Sequence, residues 1–168
     1  MHAKRAGAGV AINIGLKKTT EQKNVSEAVH FLGYVDGADK VAAYRMANLL
    51  VVPSRQEAMS IVAVEAGFCG TPVLLTDQCG FSDIQLIDTR LEVSATVTGI
   101  AAGLTSLLAD SNELIEIAPA WSNFVKQRYS WSSLAPEYFK LYSVILSRLS
   151  SEIRPPAGRS KTEENSKR

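Results

Sequence analysis

Two glutamates eight residues apart, Glu57 and Glu65, are the residues most able to do chemistry in this chain. Glu57 lies in P-S-R-Q-E-A-M-S (53–60), directly after the apolar residues LLVV of the run LLVVPS (49–54). Glu65 lies inside SIVAVEAGFCG (60–70), which reads as a helix with Ser60 as N-cap and Gly70 as C-terminal stop. The first turn of a helix has unspent backbone N–H groups and the positive end of the dipole. It therefore suits an anion, most naturally phosphate. Carboxylates accept hydrogen bonds from vicinal hydroxyls, so a sugar or ribose is the natural ligand for such a pair. On spacing alone the two glutamates also fit a solvated or capping role, as on any amphipathic helix.

The elements that must position them alternate between two periods. VAINI (10–14) and AVHFLG (28–33) read as short strands, and ADKVAAYRMA (38–47) as a helix with Val41, Tyr44 and Asn48 on one side. Tyr44 reads as core packing. LLVVPS and TPVLLT (71–76) are continuous apolar runs, the pattern of strands buried on both faces. CGFSDI (79–84) is a Gly-centred turn into a short helix, and LEVS (91–94) a weak last strand. TGIAAGLTSLL (98–108) and NELIEIAPAWSNFVKQR (112–128), bent at Pro119, are helical. SWSSLAPEYFKLYSVILSRL (130–149) closes the fold with a stripe of Tyr138, Leu141, Tyr142, Ile145 and Leu149. Strands separated by helices predict an α/β fold, a three-layer Rossmann-like parallel sheet. Ligands then bind outside the C-terminal ends of the strands.

Composition narrows the class. The chain has 168 residues, 46% hydrophobic and 21% charged, enough for one core and too little for two ordinary domains. We expect a single domain over 1–150. Residues 151–168 carry two adjacent prolines and eight charges (five positive, three negative) and read as a disordered tail. The net charge of +1 gives no field for gripping a polyanion, so nucleic acid is not expected as a partner. Cys69 and Cys79 read as reduced thiols in a cytoplasmic protein, too few for a disulfide framework, and no metal site is expected. No apolar run reaches 18 residues, and the basic start lacks the apolar stretch of a secretory signal. The basic tail leaves peripheral contact with acidic lipid open.

The stretch FLGYVDGADKVAAYRMANLLVVPSRQEAMSIVAVEAGFCGTPVLLTDQCGFSDI (31–84) resembles the donor-binding half of the family 4, or group 1, glycosyltransferases. The matching features are FLG, a Tyr and small residues on a helix, V-P-S-x-x-E, and a second Glu eight positions on. E-A-x-x-x-G-x-P-V-L and a C-G-F turn before an acidic residue follow. FVKQRYSWSSLAPEYFKLY (124–142) is similar to the family's closing helices. The resemblance implies a retaining enzyme with the two-domain GT-B fold, used in polysaccharide biosynthesis. It implies that Glu65 binds ribose hydroxyls and that Glu57, the catalytic candidate, binds the transferred sugar. Backbone N–H groups at Ser60, Ile61 and Val62 would hold the diphosphate. Tyr34, Val35 and Lys40 would border the base, and Gly80 would let the chain pass close to the ligand. The donor, a nucleotide-diphosphate sugar, is a substrate, and no cofactor is implied.

The chain departs from the family pattern at four places. Ser60 follows Met59 where a glycine usually follows an aromatic residue. Cys79 replaces the first glycine of the turn, and its acidic residue is the shorter Asp83. The basic pair expected on the first strand has no counterpart in residues 1–27, where Arg5, Lys17 and Lys18 lack a strand–turn context. The acceptor-binding domain is missing, so a truncated, weakly active or inactive donor half is expected, with that domain on another chain. A non-catalytic nucleotide-sugar-binding or docking module that needs a partner chain is the alternative. A receiver-like domain would want acidic residues after its first strand, and VAINIG has none.

Overall fold

The computed structural model describes residues 8–152. The chain divides into two compact units, one up to Ala43 and one from Tyr44 onward.

The first unit holds α1 (Ala8–Gln22), a 3-10 turn at Ser26–Ala28 and the start of α2 (Gly37–Met46). Both strands expected here are absent. VAINI is part of α1, a 15-residue helix. A five-residue segment with four apolar positions does not distinguish strand from helix, and the helix formers that follow it extend the helical reading. AVHFLG is irregular beyond Ala28, with Leu32 69% exposed and no ladder partner. No residue of 15–43 is buried. The Lys17 ammonium lies 5.6 Å from the centre of the Phe31 ring, a cation–π contact.

The second unit contains an open, all-parallel sheet, the Rossmann-like α/β arrangement read from the alternation. Its strands are β1 (Leu50–Val52), β2 (Val73–Thr76) and β3 (Glu92–Val93), in spatial order β1-β2-β3. Leu50 pairs with Val73 and Val52 with Leu75; Leu75 pairs with Glu92 and Thr76 with Val93. β2 is central and buried along its whole length, as its unbroken apolar run requires. The edge strands are only partly buried.

Four helices follow in this unit: α3 (Ile61–Cys69), α4 (Val97–Leu108), α5 (Ser111–Tyr129) and α6 (Trp131–Glu152). Gly70, left-handed at φ 85°, ends α3, its N–H donating back to Ala66 and Gly67. Gly67 brings α3 and α5 together: a Cβ there would sit 2.6 Å from Val125 Cγ2 and 2.8 Å from Trp121 Nε1. Trp121 is fully buried and meets Phe81 edge-on at 5.7 Å. α5 carries Pro119 within it and runs on to Tyr129.

Three details of the sequence reading change. In α2 only Tyr44 is buried; Val41 is exposed and Asn48 lies beyond the helix. The α6 stripe does not close a core, since its five residues are 43–60% exposed. α6 extends through Glu152, two residues into the segment read as a tail; residues 153–168 lie outside the described residues.

Candidate functional site

Glu57, Ser60, Ile61, Val62, Glu65 and Gly80 all lie in the second unit, in or near the connections leaving the C-terminal ends of β1 and β2. Val35 and Lys40, like Tyr34, belong to the first unit; Val35 and Lys40 are half-buried and Tyr34 is 90% exposed.

The loop carrying Glu57 is stitched to the segment after β2. The Glu57 N–H donates to the Gln78 carbonyl at 2.9 Å. The Thr76 hydroxyl donates to the Ser54 carbonyl, and the Cys79 thiol donates to the Val52 carbonyl at 3.4 Å. Cys79 and Cys69 are both free, with Cys79 buried. At Gly80 (φ 65°) a Cβ would overlap the Ala58 carbonyl oxygen and lie 2.7 Å from its carbon. Glycine is therefore required twice, by conformation and by the backbone of the Glu57 loop pressed against it.

Each glutamate is half-buried and accepts a hydrogen bond from a neighbouring hydroxyl. Ser54 Oγ donates to Glu57 Oε2 at 3.1 Å, and Tyr44 Oη donates to Glu65 Oε2 at 2.8 Å. Burial first, then the bond to Glu65, pushes the Tyr44 phenol far above its ordinary range, so it remains a donor at any physiological pH. The sequence reading missed both hydroxyls. Ser54 had a usable signal, the S-x-x-E spacing of a local side-chain pair. Tyr44 had none, because 21 residues separate it from Glu65.

Between the glutamates in the chain stands the N-terminus of α3. Ser60 is the N-cap, extended at φ −78° and ψ 96°, yet its hydroxyl makes no capping bond. That hydroxyl is buried and has no partner. Only the Ser60 carbonyl engages the helix, accepting from Ala63 and Val64. The first amides of α3 are thus left unclaimed by any cap. Ile61 is 64% and Val62 36% exposed, while Ser60 is fully buried. The exposed residues of this first turn are therefore Ile61 and Val62.

Asp83 is paired with Arg128 of α5 at 2.7 Å. A separate cleft of about 430 Å³, lined by Asn48, Gly70, Pro72, Leu114 and Ala118 among others, lies beside residues that precede β1 and β2. Among the described residues no ionisable side chain lines it. Among the described residues no three metal-ligating side chains cluster, and no helix is long and apolar enough to cross a membrane.

An open parallel sheet, with an uncapped helix N-terminus and two hydroxyl-held carboxylates beyond its strands, defines an α/β, Rossmann-like unit. Comparison with known proteins gives its family. The sequence pattern of the group 1 glycosyl transferases matches residues 13–126, and the chain belongs to that family. It is 30% identical over 131 residues to an uncharacterized glycosyltransferase of Methanocaldococcus jannaschii, covering 74% of this chain and 33% of the relative. A D-inositol 3-phosphate glycosyltransferase of Corynebacterium jeikeium is 27% identical, with 91% of this chain and 35% of the relative covered. Among solved structures, sucrose-phosphate synthase from Thermosynechococcus elongatus superposes with a TM-score of 0.70 at 25% identity, covering 82% of this chain and 35% of that one. The chain spans about a third of the length of these proteins.

Proposed function

We propose that this chain is the donor-binding half of a retaining glycosyltransferase and takes a nucleoside diphosphate sugar. The observation that carries the reading is the uncapped N-terminus of α3, flanked in the chain by two carboxylates that each hold a hydroxyl donor. The diphosphate would rest on the amides of Ile61 and Val62, where the helix dipole stabilises charge. Glu65 would accept from the ribose hydroxyls. Glu57 would accept from the transferred sugar and set its anomeric carbon. Gly80 would keep the Glu57 loop in place.

The protein's part in such a transfer is to orient the sugar and to stabilise the departing diphosphate. No cofactor enters the reaction. An acceptor-binding domain supplies the second wall of the cleft, so transfer by these 168 residues alone would be slight. The proposed setting is cytoplasmic polysaccharide synthesis.

Titration calorimetry on Glu65→Ala and Glu57→Ala tests the division of roles. A hydrogen bond to a charged group contributes roughly 1.5–3 kcal/mol, or about 10- to 100-fold in affinity. Glu65→Ala should lose that much for a nucleoside diphosphate with or without its sugar. Glu57→Ala should lose it only for the sugar conjugate. Equal losses for both ligands in both variants would refute the assignment.

A further inference from the structure

We infer that Tyr44 is a positioning residue that fixes the Glu65 carboxylate for the ribose of a nucleoside diphosphate, an inference that rests on the donor-site reading above. Tyr44 is the one buried residue of α2, and its hydroxyl donates to Glu65 Oε2 at 2.8 Å.

The tyrosine is held at both ends. Its carbonyl accepts from the Thr71 hydroxyl at 2.6 Å and from the Ala47 N–H at 3.0 Å. Thr71 is itself buried just past the end of α3, and its N–H donates to the Ala66 carbonyl at 2.9 Å. The Tyr44 backbone is therefore tied to the C-terminal end of α3. Its phenol reaches back to Glu65, six residues earlier in the chain than Thr71. A ring with two rotatable bonds, anchored at its carbonyl and its hydroxyl, is a stiff strut.

Glu65 gains most from such a strut. A glutamate on a helix surface samples many rotamers, and ordering them on binding costs affinity. A carboxylate has about four acceptor positions, of which the phenol takes one. The Tyr44 bond selects the rotamer before ligand arrives. A purely structural tyrosine would have no effect that depends on the ribose hydroxyls.

The test titrates the full chain with uridine, guanosine and adenosine 5′-diphosphates. The diphosphate that binds is then compared with its 2′,3′-dideoxy counterpart. In Tyr44→Phe we expect affinity for the ribonucleotide to fall about 3- to 10-fold, the size of one ordinary hydrogen bond. Affinity for the dideoxy form should stay at the wild-type level. In a Glu65→Ala background, Tyr44→Phe should cause no further loss. Thermal melting of each variant confirms that it is folded before titration.

A wild type that prefers the ribonucleotide, with Tyr44→Phe weakening both forms equally or neither, overturns the role of Tyr44 alone. A wild type that binds none of the three overturns the donor-site reading and this inference with it.

Discussion

α5 and α6 are neighbours in the chain, 19 and 22 residues long, and each has an internal proline, Pro119 and Pro136. Both carry apolar residues at helical spacing. α5 buries Leu114, Ile117, Trp121 and Val125. α6 buries none of residues 131–150, leaving Trp131 79%, Phe139 74% and Tyr142 60% exposed. The difference lies in what faces each helix. α5 meets a glycine on α3, which lets the backbones approach until Trp121 and Val125 fill the gap. α6 has no such concave partner within the described residues. An apolar stripe specifies a face that favours cover. It does not specify that the same chain supplies it.

The largest break in this contrast should come from Trp121→Ala. The side chain is fully buried against Gly67, Phe81 and Phe124, and its removal leaves a cavity. We expect a loss of about 3–5 kcal/mol in chemical denaturation. A loss below about 1 kcal/mol would mean that α5 is not anchored as described. Part of the cost is offset because the Trp121 indole N–H is buried without a partner.

A smaller effect concerns how α5 begins. Asp110 caps it, accepting from the Asn112 N–H, and Glu113 in its first turn pairs with Arg90. Arg90 also clasps Asp88, at 2.7 Å, and that bond holds the Asp88 carboxyl below its ordinary value of 3.8. A lowered folded value means stability that is complete above pH 3.8. It is lost as the pH falls through that value toward the lowered one. In Asp88→Asn, denaturation midpoints measured from pH 5 to pH 2 should fall less steeply than in wild type. Parallel slopes would show that Asp88 is not linked to folding.

The sequence made the central elements legible and the peripheral ones not, for a physical reason. TPVLLT could only be a strand buried on both sides, and Gly70 could only be a helix stop, because burial and left-handed backbone leave little choice. VAINI, four apolar residues around Asn13, satisfies either period, and the decision lies in Leu16 to Gln22 beyond it. At the site, the element pattern places Glu57 in the loop after β1 and Glu65 within α3, while their spacing alone assigns them no role. The Tyr44 phenol and the contact of Gly80 with Ala58 were not, since they arise where distant segments meet. Ser60 was read as a cap from its type and place; only the structure tells that its hydroxyl turns inward.

The smallest effect is the one that defines α6. Tyr142→Ser and Leu141→Ser remove apolar groups that are 60% and 53% exposed, from a helix with no buried residue over 131–150. Water already reaches these side chains, so little transfer energy is at stake within the chain. Substitutions at such sites usually change stability by no more than about 0.5 kcal/mol. We therefore expect unchanged denaturation midpoints for both variants, while binding of a hydrophobic dye decreases, since the exposed apolar patch shrinks. The two readings separate the cases cleanly. A lost patch with constant stability keeps α6 as a face left open by its own chain. A destabilisation of more than about 1 kcal/mol would place these side chains in a covered core, and α6 would then be a second α5.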